Sequence, residues 1–133
     1  MAGAPWDASL QHLVESDVLD GYALLTIVGQ CEKAVGCLDD EFTSQEPLPL
    51  SSGQFFEPFA GLDRGPSSFQ LCGRKLMVFS KSETSLYAVS NRSDVYLCVC
   101  SLPQGVLLAV FRRPHFPQTV IPMIEKICDK LRR

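Results

Sequence analysis

The sequence lacks long hydrophobic runs, runs of like charge and a secretion signal. No apolar stretch approaches the roughly 20 residues that a membrane-spanning helix needs, and the N-terminal residues show neither the charged nor the apolar region of a signal peptide. The formal charge of −3 is spread along the chain without a basic stripe, which argues against a general nucleic-acid-binding protein. From these absences we expect a cytoplasmic protein with one domain over its 133 residues.

Motifs of catalysis are also missing. The chain has neither a glycine-rich phosphate loop nor a Gly-x-Ser-x-Gly nucleophile motif. Its two histidines stand apart, His12 on the polar side of a predicted helix and His115 between prolines. The acidic residues 39–41 are most simply a solvated loop. The sequence therefore favours a binding protein over an enzyme and predicts no cofactor and no metal.

Six cysteines invite a disulfide or zinc interpretation, but their spacing does not support one. Cys98 and Cys100 would lie on one face of a strand, and no second pair has the spacing of a zinc site. In a reducing compartment such residues are small buried hydrophobes. We therefore predict free, buried thiols. The six are Cys31, Cys37, Cys72, Cys98, Cys100 and Cys128.

Amphipathic patterns predict a helix at each end of the chain. Near the start, Trp6 and Leu10 begin a helical repeat that should end before Gly21, where glycine permits a left-handed exit. Near the end, Thr119 is placed to cap a helix that has Pro122 in its first turn. The apolar stripe of this second helix consists of Val120, Ile124, Ile127, Cys128 and Leu131.

Between the helices, seven apolar segments of strand length are separated by turn residues. The last two flank a Pro/Gly break and predict a buried antiparallel hairpin. We therefore predict an α+β fold, with an antiparallel sheet of about seven strands and the terminal helices packed together on one face. Residues 39–50 predict a loop, and Phe55, Phe56 and Phe59 a short or kinked helix. The predicted strands are 22–28, 34–38, 68–71, 75–79, 86–89, 95–100 and 106–111.

Three segments, in this order and spacing, resemble the profilin family over nearly the whole chain. Trp6 followed by residues 27–30 is similar to the family's first helix and the end of its first strand. Residues 69–79 resemble its glycine-containing hairpin with a Lys-x-Met-Val step, with two positions altered. Residues 105–131 resemble its last strand, proline turn and terminal helix. The resemblance implies one profilin-like domain over residues 1–133.

Actin is the main partner that the resemblance implies, since profilins bind monomeric actin through the sheet and the start of the last helix. The chain would then be a monomeric regulator of the actin cytoskeleton. The family's small-residue turn and asparagine become Pro117, Gln118 and Ile121, so a reduced actin affinity is expected. The implied actin-binding residues are Arg74, Lys75, Lys81, Arg92, His115 and Gln118.

Two further ligands follow from the resemblance. Profilins stack aromatic rings on proline-rich segments between the terminal helices. Trp6 is kept here, but Ser9, Val35 and Lys130 replace the other rings, which predicts a degraded site with weak binding. Profilins also bind acidic phosphoinositides through basic residues, for which the candidates are Arg112 and Arg113.

Two alternatives to actin binding stay open at this point. One is an adaptor with the profilin fold that has lost actin and binds another protein or acidic phosphoinositides. The other is a dimerising scaffold of the roadblock or longin type, which also ends in a hairpin and a helix. Two chain ends packed together would favour the profilin fold, whereas two sheets joined edge to edge would favour the dimeric scaffold.

Overall fold

Two helices and seven strands make up the described part of the chain, which in this computed structural model comprises residues 8–26, 31–36, 38, 68–71, 74–82, 84–92, 94–103, 105–112 and 115–132. No helix in these ranges is long and apolar enough to cross a membrane. In chain order the elements are α1 (Ala8–Glu15), β1 (Gly21–Thr26), β2 (Cys31–Gly36), β3 (Ser68–Leu71), β4 (Arg74–Lys81), β5 (Ser85–Ser90), β6 (Val95–Leu102), β7 (Gly105–Arg112) and α2 (Pro117–Arg132).

The seven strands form one antiparallel sheet in the order β2-β1-β7-β6-β5-β4-β3. Strands β3 to β7 follow one another as a meander, and the hairpin of β1 and β2 joins the sheet at β7. Strand β7 thus pairs with β1 on one side and β6 on the other, and its residues from Gly105 to Phe111 are all buried. A continuous apolar run is what a strand with both faces covered requires.

The sheet separates two apolar cores. On one face, α1 and α2 pack against the sheet and form the helix-side core, which includes Leu10, Tyr22, Leu107, Phe111 and Ile124. The opposite core contains the alternate residues of the same strands, together with Leu38. The two terminal helices therefore lie together on one face, which confirms the predicted α+β arrangement. Residues 39–67, with the predicted loop and the helix of three phenylalanines, lie outside the described residues.

Strand β2 begins earlier than its sequence predicts. The predicted strand begins at residue 34, whereas β2 starts at Cys31 and carries Glu32 and Lys33 in its first half. The prediction was wrong because β2 is, among the described strands, an edge strand that pairs with β1 alone. An edge strand tolerates charged side chains, which obscure the apolar alternation that marks a strand in the sequence.

Helix α1 ends at Glu15, and its left-handed exit residue is Asp17, with φ +62°, rather than Gly21. The amide of Val18 donates to the carbonyl of Leu13 at 2.8 Å, and the amide of Asp17 donates to the carbonyl of Val14 at 3.1 Å. This pair of bonds is the Schellman motif. Aspartate is among the few residues besides glycine that adopt the left-handed conformation. Asp17 is therefore a weaker sequence signal for the end of a helix than a glycine would be.

Helix α2 begins at Pro117, two residues before the predicted cap at Thr119. The carbonyl of Phe116 accepts hydrogen bonds from the amides of Thr119 and Val120, both at 3.0 Å. Pro117 occupies the first helical position, where its missing N–H costs nothing. Pro122 consequently lies inside the helix, where a proline lowers the stability of the helix by about 3 kcal/mol. The burial of the apolar stripe of α2 offsets this loss.

Burial of the α2 stripe predicts a strong contrast between two neighbouring positions. Ile124 is fully buried in the helix-side core, whereas Met123 is 39% exposed. Ile124→Ala should lower the free energy of unfolding by about 2–5 kcal/mol, because it leaves a cavity. Met123→Ala should lower it by less than about 1 kcal/mol. Urea unfolding followed by circular dichroism measures both, and equal losses would contradict this packing of α2.

Candidate functional site

The helices cover only part of the helix-side face of the sheet. One row of side chains crosses four strands there, because Met77 pairs with Val89, Val89 with Tyr96, and Tyr96 with Phe111. Phe111 is buried, Tyr96 and Val89 are half-buried, and Met77 is 42% exposed. The rings of Tyr96 and Phe111 stack with centroids 4.9 Å apart. The side chains of this row therefore become more exposed to solvent from β7 towards β4.

A patch that we call the open sheet face occupies the uncovered part of β4 and β5. Phe79 is 50% exposed, and its ring lies 6.3 Å from the ring of Tyr87 in a tilted arrangement. Lys75 is exposed and lies two residues before Met77, on the same face of β4. Exposed apolar side chains gathered in this way are typical of a protein-interaction surface. The open sheet face consists of Lys75, Met77, Phe79, Tyr87 and Val89.

A register shift in β4 decides which residues share this face. Val78 pairs with Ala88, but Ser80 pairs with Tyr87, so β4 has one extra residue between them. Beyond this irregularity Lys81 pairs with Leu86, whose side chain belongs to the opposite core. A shift of one residue moves every following side chain to the other face. Lys81 therefore lies on the opposite face from Lys75.

Most of the remaining predicted actin-binding residues meet at one end of the sheet. Leu76, near the start of β4, pairs with Ser90 at the end of β5, and Val95 at the start of β6 pairs with Arg112 at the end of β7. These four strand ends therefore lie at the same end of the sheet, and α2 begins shortly after β7 ends. Arg74 is the first residue of β4 at this end. The exposed or half-buried side chains at this end are those of Lys75, Arg92, Arg112, His115, Phe116 and Gln118.

Arg112 is less available than its sequence position indicates. Its Nε atom forms an ion pair with the Asp20 carboxylate, although 57% of the side chain is exposed. The amide of Asp20 also donates to the carbonyl of Val110 at 2.7 Å, which holds the carboxylate beside β7. Asp20 thus neutralises part of the charge that a phosphoinositide would require. Arg113, the other candidate, lies outside the described residues.

Beneath α2, a small polar cluster ties the helix to β5 and β6. The hydroxyl of Tyr87 donates to Glu125 Oε1 at 2.8 Å, and the thiol of Cys100 lies 3.7 Å from the same oxygen. The hydroxyl of Ser85 donates to Cys100 Sγ at 3.8 Å. Cys98, Cys100 and Cys128 are free and buried, as predicted. In the described ranges, no group of three or more His, Cys, Asp or Glu side chains is placed to hold a metal ion.

The surroundings favour the neutral forms of the Tyr87 phenol and of the Cys98 and Cys100 thiols. Burial and the bond to the Glu125 carboxylate raise the pKa of Tyr87 well above its ordinary value of 10.0. Burial also raises the pKa of Cys98, and the contact with Cys128 together with burial raises the pKa of Cys100. Neutral thiols and a neutral phenol are poor nucleophiles. The cluster therefore has the chemistry of a structural link rather than of a reactive site.

A shallow groove of about 380 Å³ runs between α1 and α2. Ser9 lines it, as the resemblance implies for the proline-rich ligand site. Val35 lies in β2 and packs against the helix-side core, and Lys130 is exposed further along α2. Trp6 lies outside the described residues. The described residues that line the groove are Ala8, Ser9, His12, Leu13, Met123, Lys126 and Ile127.

Comparison with known proteins identifies the fold. No protein-family profile and no curated protein sequence matches the chain. Among solved structures, Loki profilin 1 in complex with rabbit actin has a TM-score of 0.72 at 15% identity, over 95% of this chain and 93% of that one. Loki profilin 2 in complex with rabbit actin also gives 0.72 at 15% identity, over 98% and 97% of the two chains.

A second group of similar structures comes from an amoeba. Profilin IA of Acanthamoeba castellanii gives a TM-score of 0.65 at 18% identity, over 94% of this chain and 91% of that one. Similarity at this level of identity shows the fold alone. The chain has a profilin-like fold, and the packing of its two terminal helices on one face agrees with it.

The buried cluster predicts that alkaline pH destabilises the fold. The ordinary pKa values are 9.0 for the thiols and 10.0 for the phenol, and the folded state raises those of Cys98, Cys100 and Tyr87. As the pH rises past these ordinary values, the unfolded chain releases protons that the native chain keeps. The unfolded state then binds fewer protons, so the free energy of unfolding falls with pH.

Urea unfolding at a series of pH values between neutrality and alkaline conditions measures this slope. The double variant Cys98→Ala with Tyr87→Phe should show a shallower fall. Val99→Ala removes a neighbouring buried side chain that does not titrate, so it should lower stability by a similar amount at every pH. A double variant with the wild-type slope would show that these groups are not the cause.

Proposed function

We propose that this protein is an actin-monomer-binding regulator of the actin cytoskeleton and that actin contacts the open sheet face beside the start of α2. One observation carries the proposal: on a profilin-like fold, the part of the sheet that neither helix covers presents exposed Met77 and Phe79. Similar structures with this fold include two complexes with rabbit actin. The resemblance assigns actin to the sheet and the last helix, which is where this patch lies.

In this proposal the affinity comes from apolar side chains and the orientation from charges. Phe79 offers rigid and Met77 adaptable apolar surface, and both types of side chain are enriched in the cores of protein interfaces. Lys75 lies on the same face, and Arg92 and His115 lie at the same end of the sheet. Exposed charges at a rim increase the association rate and fix the orientation more than they add affinity. Lys81 is left out, since it lies on the opposite face.

The start of α2 supports a weaker contact than the resemblance alone would imply. Pro117 opens the helix, and Ile121 packs against the helix-side core instead of presenting a polar group to a partner. Phe116 is 63% exposed next to this turn and adds apolar surface. We infer that binding at this end depends more on apolar contact than on hydrogen bonds.

Lipid headgroups are a less favoured ligand for the same end of the sheet. The ion pair between Arg112 and Asp20 reduces the positive charge that would attract an acidic phosphoinositide. Flotation with vesicles that contain an acidic phosphoinositide separates the two possibilities. Tight binding that Arg112→Glu abolishes would favour the adaptor alternative over actin.

Two charge reversals within one strand test the proposed actin site. Lys75→Glu, on the open sheet face, should weaken binding to rabbit actin monomers about tenfold, a change of roughly 1.4 kcal/mol. Phe79→Ser should weaken it by at least about tenfold, because it removes an apolar contact. Lys81→Glu makes the same charge change on the other face of β4 and should alter the affinity less than about twofold.

Fluorescence titration of labelled actin measures these affinities, with circular dichroism to verify folding. Absence of wild-type binding at high micromolar actin would refute the actin function and leave the fold untouched. Equal losses of affinity from Lys75→Glu and Lys81→Glu would show that actin does not bind at the open sheet face.

Proline-rich ligands are the weaker part of the proposal. None of the described residues that line the groove between α1 and α2 is tryptophan, tyrosine or phenylalanine, so a polyproline helix finds no large aromatic ring among them to stack on. Ser9→Tyr would add a ring at the groove and should raise the affinity for a polyproline peptide roughly fivefold. Glu15→Tyr adds the same ring to α1 outside the groove lining and serves as the control. Isothermal calorimetry measures both, and no gain from Ser9→Tyr would contradict a proline-rich site here.

A further inference from the structure

We propose that the groove between α1 and α2 binds a short acidic peptide segment of another protein, with apolar side chains on its floor and carboxylates at its rim. This surface is separate from the open sheet face, and the proposal does not depend on actin binding. It rests on the composition of the groove and on the placement of charge around it.

The floor of the groove is aliphatic and adaptable. Leu13 and Ile127 are half-buried between the two helices, and Met123 is 39% exposed on the α2 side. Ala8 leaves room on the α1 side because its side chain is a single methyl group. An unbranched methionine over small and aliphatic neighbours can adjust to different apolar side chains. The floor therefore fits leucine or methionine side chains better than a rigid stack of proline rings.

The rim carries positive charge and no carboxylate among the described lining residues. The positive charge is that of Lys126, which is exposed on α2, and the exposed His12 lines the α1 side of the groove. Lys130 is exposed one helical turn beyond Lys126, on the same side of α2. The chain as a whole has a net charge of −3, so this rim differs in sign from the average surface. Charge complementarity favours an acidic partner.

The one acidic residue between these lysines on α2 is already paired. Asp129 Oδ1 lies 3.3 Å from Nη1 of Arg132. The other nitrogens of this guanidinium donate to backbone carbonyls, Nε to that of Ser101 at 3.1 Å and Nη2 to that of Thr84 at 3.2 Å. Arg132 is thus held against the ends of β5 and β6, and it draws the Asp129 carboxylate with it. This arrangement leaves Lys126 and Lys130 as the dominant charges on that side of α2.

The size of the groove favours a peptide over a small ligand. Helix α1 is eight residues long, about 12 Å, and the groove is shallow and open along it. An extended segment of about four residues, or about two turns of a helix, spans that length. Such a segment can place two apolar side chains on the floor and carboxylates beside Lys126 and Lys130.

Fluorescence anisotropy with two labelled peptides of about ten residues, sized from the length of α1, tests the proposal. The first peptide contains leucine, aspartate and glutamate, and the second replaces every acid by its amide. We expect the acidic peptide to bind, and the amide peptide to bind roughly tenfold more weakly. Lys126→Glu combined with Lys130→Glu should lower the affinity for the acidic peptide about tenfold. Met123→Ala should lower the affinity for both peptides.

Control variants keep the test separate from the actin proposal. Lys81→Glu changes a charge on the face of the sheet opposite the helices and should leave the peptide affinity within about twofold. Lys75→Glu should lower the affinity for actin and leave the affinity for the acidic peptide unchanged. Should the double reversal fail to fold, Met123→Ala together with the amide peptide still tests the floor and the rim.

Three results would overturn the proposal. They are equal binding of the acidic and amide peptides, unchanged binding by the folded double reversal, and tighter binding of a polyproline peptide than of the acidic one. Displacement of the acidic peptide by vesicles of an anionic lipid, at lower concentration than by unlabelled peptide, would also count against it and would assign the groove to a membrane surface.

Discussion

Strand β7 is buried on both faces, and the placement of the helices and of the neighbouring strands follows from that burial. A strand that pairs with β1 and β6 and is apolar on each side needs cover above and below. Helices α1 and α2 supply that cover on one face. Because α2 follows β7 directly, its first turn has to lie at the end of the sheet where β7 stops. The same chain order that buries β7 therefore places the start of α2 beside the charged end of the sheet.

The limited cover that α2 provides creates the candidate binding surface. One helix spans roughly 10 Å, about two strand spacings, so a sheet of seven strands extends beyond it. The row from Phe111 to Met77 shows the transition from buried to exposed along a single line of paired residues. At the margin, the bond between Tyr87 and Glu125 fixes the edge of α2 against β5. The open sheet face is thus bounded by a polar link that is half-shielded from water.

Several features could be predicted from the sequence because they depend on local periodicity. The apolar runs of β6 and β7, the stripe of α2 and the grouping of helices against an antiparallel sheet follow from side-chain spacing of two and 3.6 residues. The candidate site was predicted in part. Lys75, one of the predicted site residues, lies on the open sheet face, whereas Lys81 lies on the other face, since the extra residue in β4 becomes visible only when its partner strand is known.

The fold class, the burial of Cys98, Cys100 and Cys128 as free thiols, and the apolar faces of the two helices could all be predicted from the sequence, since each depends on the spacing and type of nearby residues. The contacts of Asp20 with Arg112 and of Glu125 with Tyr87 could be seen only in the folded protein. The partners in these contacts lie in different elements, and no local pattern encodes which distant groups will meet. Their positions follow from how the helices settle on the sheet, which is a property of the whole packed chain.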